Sequence, residues 1–308
     1  MIILGKRHFF SDMELSILKE QFDSIDFVGY NNVEPQQVIE QIEKLISDQN
    51  KSIILLNTKA PIPDALLSHL TNLESKNIRY LTTETFLEHY LHKCYIPEDH
   101  TSAAFLEEIR PYSKWQYLLK RAFDIISVIV LGAISSPFMI YAAYRIKKES
   151  PNGPILFKQD RVGRNNEEFT CIKFRSMIPD AEADGAKFAS ENDPRIFKWG
   201  ETMRKTRIDE LPQLWNVLKG EMHLVGPRPE RKFWINQFKK EIPYYNQRHI
   251  VAPGITGWAQ VNYPYGANAE DARQKLMYDL YYIKHWSPWL EIQTMLKTII
   301  VVIGKKGI

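Results

Sequence analysis

Cysteine is almost missing from this chain: Cys94 and Cys171 are the only two in 308 residues. Lying so far apart, they suggest neither a disulfide framework nor a metal-ligand pair, and a reducing compartment is the simpler reading. A strong charge bias is also lacking. The formal net charge is +3, so no heavily basic surface argues for nucleic acid. No G-x-G-x-x-G turn and no P-loop occurs, which leaves dinucleotide binding and the usual nucleotide cradle unsupported. His223, His249 and His285 follow no zinc-type spacing and are read as structural. The opening MIILGKRHFFSDMEL has too short an apolar run for a secretory signal, with charges following at once.

The length allows two domains, each with its own core. Residues 1–95 alternate strand-like and helix-like signals: IDFVGY (25–30), a helix with Val38, Ile42, Leu45 and Ile46 on one face, SIILLN (52–57), DALLSHLTNLESKN, then IRYLT. This βαβαβ rhythm predicts a small α/β domain with a parallel sheet, nucleotide-fold-like but without a binding motif. Residues 96–113 are a polar connection, a linker with some helix.

Ile125–Tyr144, IISVIVLGAISSPFMIYAAY, then runs twenty residues without a charge. A continuous helix of that length covers about 30 Å, the thickness of a bilayer core. Ser136 and Pro137 interrupt it, where proline removes a backbone hydrogen bond and a serine hydroxyl can occupy the freed carbonyl. The flanks are equally basic, with Lys114, Lys120 and Arg121 before it and Arg145, Lys147 and Lys148 after it. Symmetric flanks argue against a crossing. The expectation is a re-entrant helix over 122–146 that enters and leaves one face. PYSKWQYLLKR (111–121) reads as interfacial, as does the C-terminal stretch with Trp286, Trp289 and a Lys305-Lys306 tail.

GPILFKQDRVGRNNEEFTCIKFRSM (153–177) reads as a β-hairpin turning at GRNNEE, and carries Lys173 and Arg175. IPDAEADGAKFASENDPRIF, which follows, is acidic and reads as a mobile loop. RIDELPQLWNV then sets Asp209 and Glu210 side by side ahead of an apolar stripe at Leu211, Leu214, Trp215 and Leu218. Taken alone, this is an ordinary helix start, because acids cap helices and Pro212 suits a first turn. The company of the pair changes the odds. Arg204 and Arg207 precede it, Arg228 sits in a rigid GPRPE turn, and Asp279 lies in the aromatic stretch YDLYY. Arginine forks match phosphate oxygens, carboxylates hold Mg²⁺ against phosphate, and an aspartate can attack phosphorus. From the residues alone, the reading is phosphorus chemistry at a membrane surface.

From about Lys114 onward the chain resembles the bacterial sugar transferases, monotopic polyprenyl-phosphate phosphoglycosyl transferases. The resemblance is carried by KRAFD with its Ser-Pro-broken helix, KFRSM, DELPQLWNVLKGEMHLVGPRP, PGITGWAQVN and YDLYYIK, in the family's order. It implies an α+β membrane-associated catalytic domain over 114–308 behind an accessory domain over 1–95. The larger members usually begin with several transmembrane helices, which residues 1–113 do not contain.

The implied reaction moves a sugar-1-phosphate from a UDP-sugar to undecaprenyl phosphate and releases UMP, starting exopolysaccharide, capsule or O-antigen synthesis at the cytoplasmic leaflet of the bacterial inner membrane. A UDP-hexose such as UDP-glucose or UDP-galactose is the expected donor, with N-acetylated sugars open. In this scheme Asp209 is the nucleophile and Glu210 a Mg²⁺ ligand. Arg204, Arg228, Lys173 and Arg175 meet phosphate or substrate, Asp279 is a second magnesium contact, and Ser136 and Pro137 break the membrane helix. The accessory domain could mediate pairing, which makes a homodimer a partner to test for. Two departures stand out: GRNNEEF lacks a second glycine common in relatives, and Ala252 replaces a common basic residue. A non-enzymatic scaffold and a membrane phosphohydrolase are the competing readings.

Overall fold

The short apolar run at the N-terminus, too short for an export signal, is the strand β1 (Ile2–Leu4) at the heart of a parallel sheet. In the computed structural model, which describes residues 1–49, 51–74, 77–98, 103–179, 181, 193–264, 266 and 268–304, the chain divides into two units, Met1–Tyr95 and Ile96–Ile308.

In the first unit the order is β1, α1 (Asp12–Lys19), β2 (Asp26–Val28), α2 (Pro35–Gln49), β3 (Ile53–Leu56), α3 (Asp64–Glu74), β4 (Arg79–Thr82) and a short α4 (Thr83–Phe86). The four strands pair in parallel, in the order β2-β1-β3-β4. All of β1 is buried, as expected of a central strand covered on both faces. Val38 and Ile42 of α2 complete this core with Ile54 and Leu66, and Leu45 and Ile46 pack against it, the face read from their spacing. Each such buried aliphatic side chain contributes about 1.5–3 kcal/mol. The predicted parallel α/β domain is therefore present.

The second unit begins with residues that pack rather than dangle. Arg273 donates to the carbonyl of Ile96 at 3.0 Å, and Phe105 in α5 (Ala103–Glu108) lies 4.7 Å from the Tyr244 ring. Next comes α6 (Lys114–Glu149), started by a Ser113–Gln116 capping box. It is longer than the expected 122–146 and continues through Pro137. Ser136 Oγ donates to the Ala133 carbonyl at 2.9 Å, the carbonyl whose usual donor Pro137 lacks. Val128, Ser135, Ala142 and Ile146 face the body of the unit. Ile126, Val130, Ile134, Phe138 and Tyr141 are exposed. Among the described residues, α6 is the one helix long and apolar enough to cross a membrane.

The predicted hairpin is β5 (Leu156–Val162) and β6 (Glu168–Phe174), paired antiparallel. Asn165 and Asn166 at its turn have φ of 55° and 63°. Asparagine tolerates this left-handed conformation, which answers the missing glycine. Then follow α7 (Lys198–Lys205), α8 (Leu214–Lys219), β7 (His223–Val225), α9 (Lys232–Glu241), β8 (Gly254–Thr256), α10 (Trp258–Asn262), α11 (Ala269–Lys284) and α12 (Pro288–Ile303). Gly220, at φ 86°, ends α8. Most of the acidic segment read as a mobile loop, and the Lys305-Lys306 tail, lie outside the described residues.

Two flank readings change. Lys120 is no membrane flank: it is fully buried, bonded to Asp124 at 3.2 Å and Glu291 at 2.8 Å. Arg121 donates to the carbonyls of Val217 and Leu218, ending α8. Trp286 is likewise a core residue, whereas Trp289 is exposed beside Ile292, Leu296, Ile299 and Ile303 on one stripe of α12. An (i, i+3/i+4) stripe of this kind suits an interface.

The β7–β8 pair positions the GPRPE turn, and it tolerates no side chain at Gly254. A Cβ there would meet Gly226 N at 2.1 Å and Thr256 O at 2.4 Å, both backbone atoms. Gly254→Ala is expected to cost about 3 kcal/mol or more through strain, read as a lowered unfolding midpoint. An unchanged midpoint would contradict this packing.

Candidate active site

The helix-capping explanation of the acid pair fails in the structure. Asp209 and Glu210 sit on a 3₁₀ turn (Ile208–Gln213) ahead of α8, and neither side chain caps it. The N-cap position belongs to Arg207, held at φ 58°. That conformation is uncommon for a non-glycine residue and marks a place where the surrounding structure fixes the backbone. Both acids are buried.

Glu210 is the anchored member. Its Oε1 accepts from Lys173 Nζ at 2.8 Å and from Arg228 at 3.1 Å, with Arg207 at 3.7 Å. Burial works to raise its pKa, but Lys173, Arg228 and Arg207 together hold it well below the usual carboxylate range. Asp209 is the free member: its Oδ1 is buried without a hydrogen-bond partner. Burial, with the neighbouring Glu210 charge, pushes its pKa up to about 6, and Lys173, Arg207 and Arg204 pull the other way. Two adjacent carboxylates thus divide into one fixed charge and one unsatisfied oxygen.

The remaining predicted residues sort by place. Lys173 and Arg228 touch Glu210 directly, and Arg204, half-buried in the last turn of α7, acts on Asp209 through space. Arg175 is spent on structure: it donates to the Pro154 and Met177 carbonyls and to Ser150 Oγ and O, tying the end of α6 to the hairpin. Asp279 on α11 faces Arg248 at 2.8 Å. Burial pushes its pKa up to about 6 against the pull of Arg248.

Arg248 was not singled out in the sequence. It donates to the Arg228 carbonyl at 2.9 Å and to Tyr245 OH at 2.9 Å, so Asp279, Arg248 and the Arg228 turn form one chain of contacts. Arg161, donating to the Pro229 carbonyl, braces the same turn from the hairpin. A lone arginine in an aromatic stretch, YYNQRHI, was the available signal. Ala252 is buried, and Lys114 and Arg164 line a cavity of about 160 Å³ with it, so positive charge reaches this place from other elements.

The donor set fits a hard divalent cation. The orphaned buried oxygen of Asp209 next to Glu210 offers carboxylate oxygens, and Mg²⁺ is commonly held by one or two carboxylates together with substrate phosphates. Among the described residues no three acidic, histidine or cysteine side chains converge.

The chain matches the bacterial sugar transferase family over residues 115–305. It belongs to that family. It is 46% identical over 209 residues to the UDP-N-acetylgalactosamine-undecaprenyl-phosphate N-acetylgalactosaminephosphotransferase of Aeromonas hydrophila, covering 68% of this chain and 49% of that one. It is 43% identical over 196 residues to the undecaprenyl-phosphate glucose phosphotransferase of Komagataeibacter xylinus, covering 62% and 37%. The exopolysaccharide production protein PSS of Rhizobium leguminosarum bv. phaseoli is 39% identical over 189 residues, covering 59% of this chain and 94% of its own length. The chain thus spans half or less of the first two relatives and nearly all of the third.

The titration of Asp209 gives a measurable pH limb. On the reading proposed below, in which Asp209 attacks as the carboxylate, kcat/KM should rise with pH and level off above about 6. Below that, the fall is about tenfold per unit. Asp279 is also raised to about 6, and Asp279→Asn separates the two, because the limb should persist in it. A flat profile between pH 5 and 7 would contradict the ionisation assigned to Asp209.

Proposed function

We propose that this protein transfers a sugar-1-phosphate from a UDP-sugar to undecaprenyl phosphate and releases UMP. The observation that carries the reading is the divided acid pair, one carboxylate anchored by Lys173 and Arg228 and the other with a buried, unpartnered oxygen. The relatives' names support the substrate class, since they include undecaprenyl-phosphate transferases of N-acetylgalactosamine, glucose and galactose phosphates.

In the first step an Asp209 carboxylate oxygen bonds to the sugar-bearing phosphorus of the donor. The bond from that phosphorus to the bridging oxygen breaks, and UMP leaves with the electron pair. In the second step a phosphate oxygen of undecaprenyl phosphate attacks the same phosphorus and returns the Asp209 carboxylate. Arg204, Arg228 and Lys173 supply fixed positive charge as the phosphate charge redistributes. Glu210 would hold Mg²⁺, whose charge would offset that of the diphosphate and the departing UMP. Arg175 and Asp279 act from behind, the former bracing the hairpin and the latter holding Arg248 and, through it, the Arg228 turn. In this reading Asp279 serves as a positioning residue through Arg248, in place of the second magnesium contact that the resemblance implies.

The exposed apolar faces of α6 and α12 would lie in the cytoplasmic leaflet of the inner membrane, with α6 re-entering at Ser136-Pro137. Both native thiols are buried, so the topology test uses Glu20→Cys and Lys240→Cys, at exposed positions, in a cysteine-free background. An impermeant thiol reagent on intact spheroplasts should label neither, and should label both after permeabilisation. Labelling of Glu20→Cys alone before permeabilisation would refute re-entrance.

A UMP-release assay over a panel of UDP-hexoses and UDP-N-acetylhexosamines tests the activity and identifies the donor. UMP release that needs no acceptor and continues over many turnovers would favour a phosphohydrolase instead.

A further inference from the structure

The cavity beside Ala252 lies away from the acid pair. Arg164 reaches it from the turn of the β5–β6 hairpin, and Lys114 and Tyr117 reach it from the start of α6. Lys173, which meets Glu210, stands well along β6 from that turn. From Glu168 to Lys173 the strand alone covers about 16 Å, at about 3.3 Å per residue. The cavity holds about 160 Å³, well short of the ~300 Å³ or more of sites for drug-sized molecules. It suits a small group and not a nucleotide sugar.

Its charge is one-sided. Lys114 and Arg164 are both exposed. Among the described residues, neither pairs with a carboxylate, and no acidic side chain lines the cavity. Arg164 lies 5.6 Å from the centre of the Tyr117 ring, a cation–π contact that uses none of its N–H donors. Two cations from separate elements therefore converge on one small space without an anion between them.

The surroundings say what kind of anion belongs there. Each cavity residue on α6 is followed by an exposed apolar one, Trp115 at 68% and Leu118 at 59%. Tryptophan next to lysine is what interfacial helices place at headgroup level. We propose that Lys114 and Arg164 bind the phosphate of an anionic phospholipid, such as phosphatidylglycerol, whose acyl chains run past Trp115 and Leu118. A phosphodiester supplies the missing charge-assisted partner. Phosphatidylethanolamine brings an ammonium as well, and the cavity has no carboxylate to receive it. The bound lipid then fixes the depth at which α6 enters the membrane. This site rests on the membrane placement of α6 proposed above, and not on the transfer reaction.

Native mass spectrometry of the full chain in detergent, titrated with phosphatidylglycerol or phosphatidylethanolamine, measures the site. The wild-type protein should hold one phosphatidylglycerol several-fold more tightly than phosphatidylethanolamine. Lys114→Gln combined with Arg164→Gln should weaken phosphatidylglycerol about tenfold or more, the loss of two cations facing one phosphate. Lys239→Gln combined with Lys240→Gln, which removes the same charge from exposed positions on α9, should bind as the wild type does. No preference between the two lipids, undiminished binding in the first double variant, or equal weakening in both would overturn the site.

Competition on the wild-type protein needs no variant. Inorganic phosphate, which lacks the apolar part, should displace phosphatidylglycerol only at far higher concentration. Undecaprenyl phosphate should displace it no better than phosphatidic acid does. Displacement by inorganic phosphate at the concentrations where phosphatidylglycerol binds would make this a soluble-anion site. A preference for undecaprenyl phosphate would make it part of the acceptor site, and either result overturns the assignment. A wild-type protein that forms no Asp209 adduct from donor alone but keeps this lipid preference would defeat the proposed reaction and leave the phospholipid site standing.

Discussion

Asp209→Asn is expected to lower UMP release by about 10⁴-fold or more, the scale seen when an attacking group is removed from a covalent mechanism. The substitution is nearly isosteric, and the Oδ1 position of Asp209 is without a hydrogen-bond partner, so no native bond at that atom is lost. Removing one of two adjacent buried carboxylates relieves repulsion, and the unfolding midpoint should hold or rise. The signature is thus loss of activity with stability intact. Glu210→Gln should differ in kind. Lys173 and Arg228 would lose their charged partner, so activity and stability should fall together. A purified Asp209→Asn protein with activity within tenfold of wild type would remove the nucleophile from the account.

The largest effect on stability is expected from Glu291→Ala. Glu291 is fully buried and accepts from Lys120 Nζ at 2.8 Å, from Trp286 Nε1 at 2.7 Å and from the Tyr282 hydroxyl. Without it, Lys120 keeps Asp124 at 3.2 Å, and Asp124 already accepts from Leu224 N at 2.9 Å and pairs with His223 Nδ1 at 2.6 Å. Burial also lowers the His223 pKa, so a neutral ring donating to Asp124 is the form that fits. Breaking a buried, hydrogen-bonded ion pair by deleting one partner costs about 3–5 kcal/mol. Glu291→Gln, which keeps the acceptor oxygen, should cost less. Chemical denaturation of the detergent-solubilised protein measures both. A loss under about 1 kcal/mol in Glu291→Ala would mean that the network is hydrated rather than closed.

What could be read in the sequence was local. The spacing of Val38, Ile42, Leu45 and Ile46 marks a helix face, and the alternation around GRNNEE marks a hairpin, because periods of 3.6 and 2 follow from backbone geometry. β1 leaves no such mark, because three apolar residues at a terminus carry no periodicity, and it is the pairing order that makes them central and buried. The acid pair was visible as a pattern, yet its division into anchored and free members depends on Lys173, 37 residues upstream of Glu210, and on Arg228, 18 downstream. The burial of Lys120 is hidden from the sequence for the same reason. Its partner Glu291 is 171 residues away, and beside a hydrophobic run a lysine reads as a flank. Arg175 stands in the same short motif as Lys173 and, two residues on, would share its face if the strand continued, but β6 ends at Phe174 and Arg175 beyond it turns to Ser150 and Pro154. One reaches the acids, and the other holds the end of α6.

Intact-mass spectrometry of the wild-type protein incubated with a UDP-sugar and Mg²⁺, without any lipid acceptor, tests the central claim most directly. The account predicts an added mass of one hexosyl phosphate or N-acetylhexosaminyl phosphate, mapped to the peptide containing Asp209 and discharged by undecaprenyl phosphate. Full turnover with no adduct at any time in rapid-quench samples, or an adduct on a different side chain, would contradict it.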